Sequence, residues 1–138
     1  MRTIALSLLL GAAVLAAAPA TPLSTIAELA TDFSTGDASG AIGKFDSAMP
    51  GYGRISQNIQ ALADQTEVSC EIDIVSDTES GGVHTMDLDW IMVLKAMGND
   101  TTSERRREQV KIEMRQIRGK WKITAMSPLT ILDPIHVL

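Results

Sequence analysis

Residues 66–74 read TEVSCEIDI and residues 85–94 read TMDLDWIMVL. In both segments apolar side chains recur at every second position, which is the period of a β-strand with one buried face. Residues 110–116 (VKIEMRQ) and 120–125 (KWKITA) repeat the pattern. Segments rich in Gly, Asn, Asp and Ser separate these runs, including the Gly98-Asn99-Asp100 turn. The stretch from residue 66 to residue 132 therefore predicts four antiparallel strands that share one apolar face.

The alternation also predicts how the strands pair, because a slip of one residue moves every apolar side chain to the other face. We expect a first hairpin centred on Ser80 and a second one closed by a type II′ turn at Gly119-Lys120. The predicted pairs are Val68–Met92, Cys70–Trp90, Ile72–Leu88, Ile74–Met86, Met114–Ala125 and Ile112–Ser127.

Three helical segments precede the strands, each with an apolar stripe at helical spacing. Thr25 and Glu28 have the spacing of a capping box, and Gly36 is placed to end the first helix. Asp37 follows as the N-cap of a second helix, which Pro50-Gly51 ends. The predicted helices cover about residues 22–35, 38–49 and 54–63. Their stripes would pack on the apolar face of the sheet.

The polar face of the sheet is charged in stripes. Residues 64–100 hold nine acids and one base, whereas residues 105–122 hold eight bases and two acids. This distribution is typical of a solvated face. A carboxylate cluster for a hard cation such as calcium is a second interpretation, but no EF-hand-like loop accompanies it, so we assign no metal ligand. Ile91 and Val93 lie on this face, either as isolated surface residues or as part of a dimer interface.

The composition fits one folded domain. The chain has 138 residues, 45% of them hydrophobic, and a formal net charge of −5. An acidic chain is a poor ligand for nucleic acid. Its single cysteine, Cys70, excludes an intramolecular disulfide. Cys70 shares parity with apolar neighbours and is expected to be a small buried side chain rather than a nucleophile.

The first twenty residues have the three parts of a secretory signal peptide. Arg2 gives a positive start, residues 4–17 are almost continuously apolar, and Ala18-Pro19-Ala20 forms a small-residue cleavage site. We expect residues 1–20 to be a signal peptide and residues 21–138 to be a single domain, exported to the periplasm or secreted. No later segment predicts an integral membrane helix.

Two local features support a family resemblance. Gly36-Asp37 separates the first two helices, and the motif Asn-Ile-x-x-Leu at 58–62 leads into the first long strand. With the order of helices and strands, they resemble the nuclear transport factor two-like superfamily, which includes ketosteroid isomerases and SnoaL-like polyketide cyclases. The resemblance covers residues 23–132. It implies an α+β cone: N-terminal helices packed on a strongly curved, mostly four-stranded antiparallel sheet, with a pocket at the open end and dimers formed through the outer sheet face.

The resemblance by itself does not predict a reaction for this chain. Isomerase-like members use an aspartate on the sheet as a base and a tyrosine with an acid as an oxyanion hole. Here the inward positions are apolar, Asp87 and Asp89 have outward parity, and Tyr52 is predicted to lie in a loop. The sequence therefore names no catalytic residue and no cofactor.

Polar residues that could line a pocket are few. They are Tyr52, His84, Gln116 and Ser127. Imidazole is suited to acid–base chemistry near neutral pH, but no carboxylate partner can be assigned to His84, which is as readily explained as a solvated strand-end residue. Gln116 and Ser127 have inward parity and could equally lie at sheet ends, bonded to backbone or water. His136 falls in the terminal tail.

Two further readings concern binding and chemistry. The run Arg105-Arg106-Arg107 is either a site for an anionic surface or a solvated strand end paired with Glu104 and Glu108. The leading hypothesis is a non-enzymatic exported domain that binds a small apolar ligand or a protein partner and forms a homodimer. A separate hypothesis is a structural or interaction module of the cell envelope. The alternative is an isomerase, dehydratase or cyclase acting on a small organic molecule, which would need His84, Asp37 or Asp46 in its pocket.

Overall fold

The computed structural model describes residues 19–98 and 102–135. Most of the predicted signal peptide, residues Asn99 and Asp100 of the predicted turn, and His136 lie outside these ranges. The elements in chain order are α1 (Pro22–Thr35), α2 (Ala38–Ile42), α3 (Tyr52–Gln65), β1 (Thr66–Ser80), β2 (Val83–Ala96), β3 (Ser103–Ile117), β4 (Lys120–Ser127) and a turn of 3-10 helix (Thr130–Leu132). No helix within these ranges has the length and apolar character needed to span a membrane.

The ends of the first two helices are capped by specific residues, which satisfy backbone groups that the helix leaves unpaired. Thr21 caps α1 through a reciprocal capping box with Ser24, so the predicted Thr25–Glu28 box is wrong by one turn. Gly36 ends α1 at φ 75°, and Asp37 caps α2, both as predicted. α2 ends at Ile42 instead of continuing to residue 49.

The loop after α2 covers an edge of the sheet. Phe45 forms an isolated parallel bridge with Ile123 of β4. The Asp46 amide donates to the Ile123 carbonyl, and the Ile123 amide donates to the Lys44 carbonyl, both at 2.9 Å. An edge strand left open would expose unpaired backbone groups, and this contact satisfies part of that edge.

The four strands form one antiparallel sheet in the order β1-β2-β3-β4. Parity of the central strands is as predicted, but the β1–β2 register is offset by two residues along residues 68–74. The β3–β4 register is offset by two residues at Met114 and by one at Ile112, which pairs with Met126 instead of Ser127. Cys70 pairs with Met92, and Met114 pairs with Ile123. The turns explain the offset, because the loops are Gly81-Gly82 and Arg118-Gly119, each with two positive φ angles. These are the backbone signs of a type I′ turn, so the predicted type II′ turn is wrong.

Two bulges change which side chains face the core. The β1–β2 register shifts between Ile74 and Ser76, so Asp77 falls opposite Met86 on the inner face. The β3–β4 register shifts between Glu113 and Met114, which leaves Thr124 without a partner in the ladder. A bulge inserts one residue and so inverts the alternation beyond it. Ala125 and Ser127 are therefore on the outer face, opposite Glu113 and Lys111, and their predicted inward positions are wrong.

The C-terminal segment closes one end of the core. The stretch predicted to form the four strands runs to residue 132, but the last strand ends at Ser127 and Thr130–Leu132 form a turn of 3-10 helix. Ile131 and Leu132 are fully buried. Arg106 donates to the carbonyls of Ile131 (3.0 Å) and Asp133.

Large side chains fill the space between the sheet and the helices. Trp90 is fully buried, and its ring meets Phe33 edge-on with centroids 6.0 Å apart. The other fully buried side chains on the inner face of the sheet are Met86, Leu88, Met92, Leu94, Ile112, Met114 and Ile123. Zero exposure means that no water-sized space lies beside them. Between α1, α3 and β1 a void of only about 10 Å³ is found, about the volume needed for one water.

Candidate functional site

The strongest pairing of chemically active groups is at the tip of the β1–β2 hairpin. His84 Nδ1 lies 2.9 Å from Asp77 Oδ1, and both side chains are mostly shielded from solvent. The imidazole ring meets the Trp121 ring edge-on, with centroids 5.1 Å apart. A carboxylate on Nδ1 orients an imidazole and leaves Nε2 to exchange a proton. The pair is thus a carboxylate–imidazole dyad at the rim of the cone.

Sequence parity could not find this dyad. Without the bulge after Ile74, Asp77 would face outward with Asp73. The Gly81-Gly82 dipeptide was the available signal for the correct hairpin turn, because Gly-Gly is a favoured two-residue loop. A hairpin closed by these two glycines pairs Asp77 with Met86. It would therefore have predicted that the side chains of Asp77 and His84 lie on the same face of the sheet.

The four predicted pocket residues do not form one pocket. Gln116 pairs with Trp121 and helps line a surface depression of about 500 Å³ beside the hairpin tip. Ser127 is exposed on the outer face at the end of β4, opposite Lys111. Tyr52 is the first residue of α3 instead of a loop residue, and it lines a different depression. Only His84 and Gln116 lie near each other, both beside Trp121.

That second depression is a groove between the loop after α2 and the β3–β4 turn. Its volume is about 730 Å³, and it is lined by Tyr52, Asp46, Arg118, Lys120 and Lys122 among others. A neighbouring depression of about 430 Å³ shares the Gly43, Lys120 and Lys122 walls. We call the two together the turn groove.

Other acids proposed for a reaction have structural roles. Asp37 Oδ1 accepts from the Gly40 amide at 2.8 Å as the α2 cap, and Asp46 Oδ1 accepts from the Ala48 amide at 3.2 Å. Neither lies in an interior cavity with His84.

Cys70 is a poor nucleophile here. Burial raises the pKa of its thiol from 9.0 to about 12, and the nearby Trp90 indole N–H offsets this only in part. The indole nitrogen makes no hydrogen bond of normal geometry within the described residues. The thiolate, which is the reactive form, is therefore scarce at neutral pH.

The three arginines of the run Arg105-Arg106-Arg107 lie in three different environments. Arg105 is exposed on the outer face, and Arg106 turns inward to the C-terminal carbonyls and to Glu104. Arg107 forms a two-point contact with Asp89, at 3.0 and 2.7 Å, which holds the pKa of Asp89 below its ordinary value of 3.8. Glu108 accepts from Thr130 at 2.7 Å. The predicted pairing of the run with Glu104 and Glu108 holds only for Arg106 and Glu104.

On the outer face, acids of β1 and β2 lie beside bases of β3. Asp73 lies opposite Asp89, and Arg107 and Lys111 supply the nearest positive charges, the latter 3.8 Å from Asp87. Within residues 19–98 and 102–135, no group of three or more His, Cys, Asp or Glu side chains is arranged to hold a metal ion.

Comparison with known proteins identifies the fold. No family model and no curated protein matches the sequence. Among solved structures, a protein of unknown function from Mycobacterium tuberculosis superposes with a TM-score of 0.62 at 15% identity, covering 75% of this chain and 66% of its own. A nuclear transport factor 2 (NTF2-like) superfamily protein from Salmonella enterica serovar Typhimurium superposes with a TM-score of 0.60 at 12% identity, covering 74% and 82%. A protein from Novosphingobium aromaticivorans described as a scytalone dehydratase gives 0.64 at 9%, covering 74% and 76%.

These structures share their architecture with this chain: helices packed on a curled four-stranded antiparallel sheet. The chain has the nuclear transport factor two-like cone fold, which confirms the predicted α+β class. At these identities the likeness concerns the fold alone, and activity has to be argued from the chain's own residues.

Proposed function

We propose that this chain is a non-enzymatic binding domain that recognises a protein partner at its surface. The observation that carries the proposal is the occupied core: Trp90 and Met92, on the inner face of the sheet, have no exposed surface. Ligand pockets in proteins are usually formed before the ligand binds and measure several hundred Å³. The inner face is packed along β2 and β3 and half-buried along β1, so among the described residues the surface grooves are the larger binding spaces. Of the two predicted ligands, the protein partner is therefore favoured over the small apolar molecule.

Fluorescence of Trp90 tests this proposal. A Trp121→Phe variant leaves Trp90 as the single tryptophan, so its emission reports on the core alone. Titration with bromobenzene, an apolar molecule that quenches tryptophan on contact, is expected to leave that emission unchanged. Saturable quenching of Trp90 would show that an apolar molecule enters the cone, and the proposal would be abandoned. The Trp90→Phe variant, which keeps Trp121, is the matched control for binding at the rim.

The His84–Asp77 dyad favours a second candidate function. A carboxylate-oriented imidazole is able to remove or donate a proton, as an isomerase, dehydratase or cyclase requires. The dyad is at the hairpin tip and does not line an interior cavity among the described residues, so this function ranks second.

Turnover of small hydroxyketones distinguishes the two functions. If the dyad is catalytic, His84→Ala is expected to lower kcat by about 10²-fold or more, and Asp77→Asn to lower it less. Tyr52→Phe is the matched control, because Tyr52 lies in the turn groove. Turnover that His84→Ala leaves unchanged would rule out the dyad.

We further propose that the domain is exported and that it forms a homodimer through the outer sheet face. The signal-peptide pattern at residues 1–20 supports export, and a mature chain that begins at Thr21 by mass spectrometry would verify it. The acidic stripe on β1 and β2 and the basic stripe on β3 support the dimer, since a two-fold axis would set each stripe against its opposite.

Light scattering tests the dimer. The expected mass is that of two chains at low salt, shifting toward one chain as NaCl screens the stripes. Arg105→Glu with Lys111→Glu should shift it further, whereas a monomer under all conditions would contradict the dimer.

A further inference from the structure

The turn groove contains cationic side chains that have no structural partner among the described residues. Within the described residues, the side chains of Arg118 and Lys120 have no hydrogen-bond or ion-pair partner, and both are exposed. Lys122 donates to the Gly43 carbonyl and so stands fixed in the wall between the two depressions. Acids on the walls are few: Asp46 is a loop cap, and Glu28 lies 3.6 Å from Lys44. The groove is therefore locally positive in a chain of net charge −5.

The backbone at Arg118 makes this placement unusual. Its φ of 54° is left-handed, a region that side chains other than Gly, Asn and Asp rarely adopt. Type I′ turns prefer Asn at this position. An arginine there has an energetic cost that local folding does not require, which is the kind of outlier that indicates a role in binding.

The groove is also preorganised. The backbone pairing of Lys44 and Asp46 with Ile123 fixes one wall to the sheet. Two half-buried aromatic side chains line the groove: Tyr52 in the larger depression and Trp121 in the smaller one. Arg, Tyr and Trp are the residue types that carry most binding energy at protein interfaces, and fixed walls reduce the entropy lost on binding.

We propose that the turn groove binds an acidic, extended segment of a partner protein. This inference rests on the surface-binding function proposed above and names the partner's chemistry. Carboxylates would pair with the Arg118 guanidinium and the Lys120 ammonium, and the shared Lys122 wall lets one chain continue from one depression to the other. Extended polyanions such as nucleic acids and anionic membranes are disfavoured, because the net charge of −5 and the acidic β1–β2 stripe repel them outside the groove.

Anisotropy of a fluorescein-labelled hexaglutamate peptide tests the proposal, with hexaglutamine and hexalysine peptides as references. Only hexaglutamate is expected to bind, and its affinity should fall about tenfold between about 50 and 200 mM NaCl. Arg118→Asn combined with Lys120→Ser should weaken binding about tenfold. The matched control is Arg54→Asn with Lys95→Ser, which removes the same charge outside the groove and outside the β3 stripe and should change affinity less than about twofold.

Each outcome decides the proposal. Equal losses in the two double variants, or no hexaglutamate binding, would overturn it, and so would displacement of the peptide by inorganic phosphate at equal charge concentration, which would indicate a small-anion site. Tighter binding of heparin or of phosphatidylglycerol vesicles than of the peptide would also overturn it. These measurements do not involve Trp90, so a failure to bind hexaglutamate leaves the proposed surface-binding function intact. An apolar probe that quenches Trp90 would refute the surface-binding function and would not decide whether the turn groove binds an acidic peptide.

Discussion

At the scale of single residues, Arg118 combines an exposed cation with a left-handed backbone. Replacing it with Asn, which tolerates this conformation, should raise the free energy of unfolding by about 1 kcal/mol. Urea denaturation of Arg118→Asn measures this, and Arg115→Asn, at an extended position near the end of β3, is the control. A less stable Arg118→Asn protein would mean that the arginine side chain stabilises the turn by itself, which would remove the strain argument.

The raised pKa of Cys70 predicts that the free energy of unfolding falls at alkaline pH. Its pKa is about 12 in the folded chain against 9.0 ordinarily, so above pH 9 the unfolded chain loses the thiol proton first. Since the folded state then binds more protons, its stability is complete below pH 9 and falls as pH rises toward 12, with a slope of up to about 1.4 kcal/mol per pH unit.

Comparison of the wild type with Cys70→Ala isolates this effect. Denaturant titrations between pH 8 and pH 11 should show a smaller slope in the variant, and the difference between the two slopes belongs to Cys70. Identical slopes would mean that the thiol is not held protonated by burial. Ellman's reagent should also fail to modify folded Cys70 near neutral pH and should react once the chain unfolds.

At the scale of elements, the difference between predicted and observed structure comes from turns and bulges. Alternation in the sequence determines which side chains of the central strands are buried, because one face must leave water, and Trp90 and Ile112 are on the predicted side. It determines register only to within two residues, since such a shift keeps parity. The extra residue of a bulge is selected by tertiary curvature, and neither Val75 nor Thr124 has a sequence signal for it. The dyad partner of His84 was missed for that reason.

Arg106 joins two elements, β3 and the C-terminal segment. Its guanidinium donates to the Ile131 and Asp133 carbonyls while its side chain is 11% exposed. Arg106→Met would keep much of the apolar stem and leave these acceptors without their donor, so we expect a loss of about 1–3 kcal/mol in unfolding free energy and faster amide exchange in residues 129–135.

Arg105→Met is the matched control for this variant. Arg105 is the neighbouring residue, but it is exposed on the outer face, where a substitution of this kind costs about 0.5 kcal/mol or less. Equal losses in the two variants, or unchanged exchange in the C-terminal segment of Arg106→Met, would show that Arg106 does not hold that segment.

At the scale of the whole molecule, the fold is that of a cone, and in the described part of the chain the side chains of β2 and β3 fill its centre. The family resemblance gave the architecture, and the apolar inward positions on the strands indicated an inner face without carboxylates, which holds except for Asp77 at the hairpin tip. The sequence could not say whether the methionines and Trp90 meet in the middle, because that depends on the curvature of the sheet and on how closely α1 approaches it. Phe33 of α1 packs on the Trp90 ring, which closes the space that a ligand would need.

Trp90→Ala should reopen that space. Removing the fully buried indole is expected to cost about 3–5 kcal/mol and to leave an apolar cavity. Such cavities stay dry and bind small aromatic molecules, so indole should raise the Tm of the variant and leave the Tm of the wild type unchanged. Trp121→Ala is the matched control, because Trp121 is only half-buried and its removal creates no enclosed space. If Trp90→Ala proves too unstable to study, Trp90→Leu leaves a smaller cavity for the same measurement with benzene. Stabilisation of the wild type by indole would show that the cone already has room, whereas rescue confined to Trp90 variants would mean that the Trp90 side chain fills this space in the wild type.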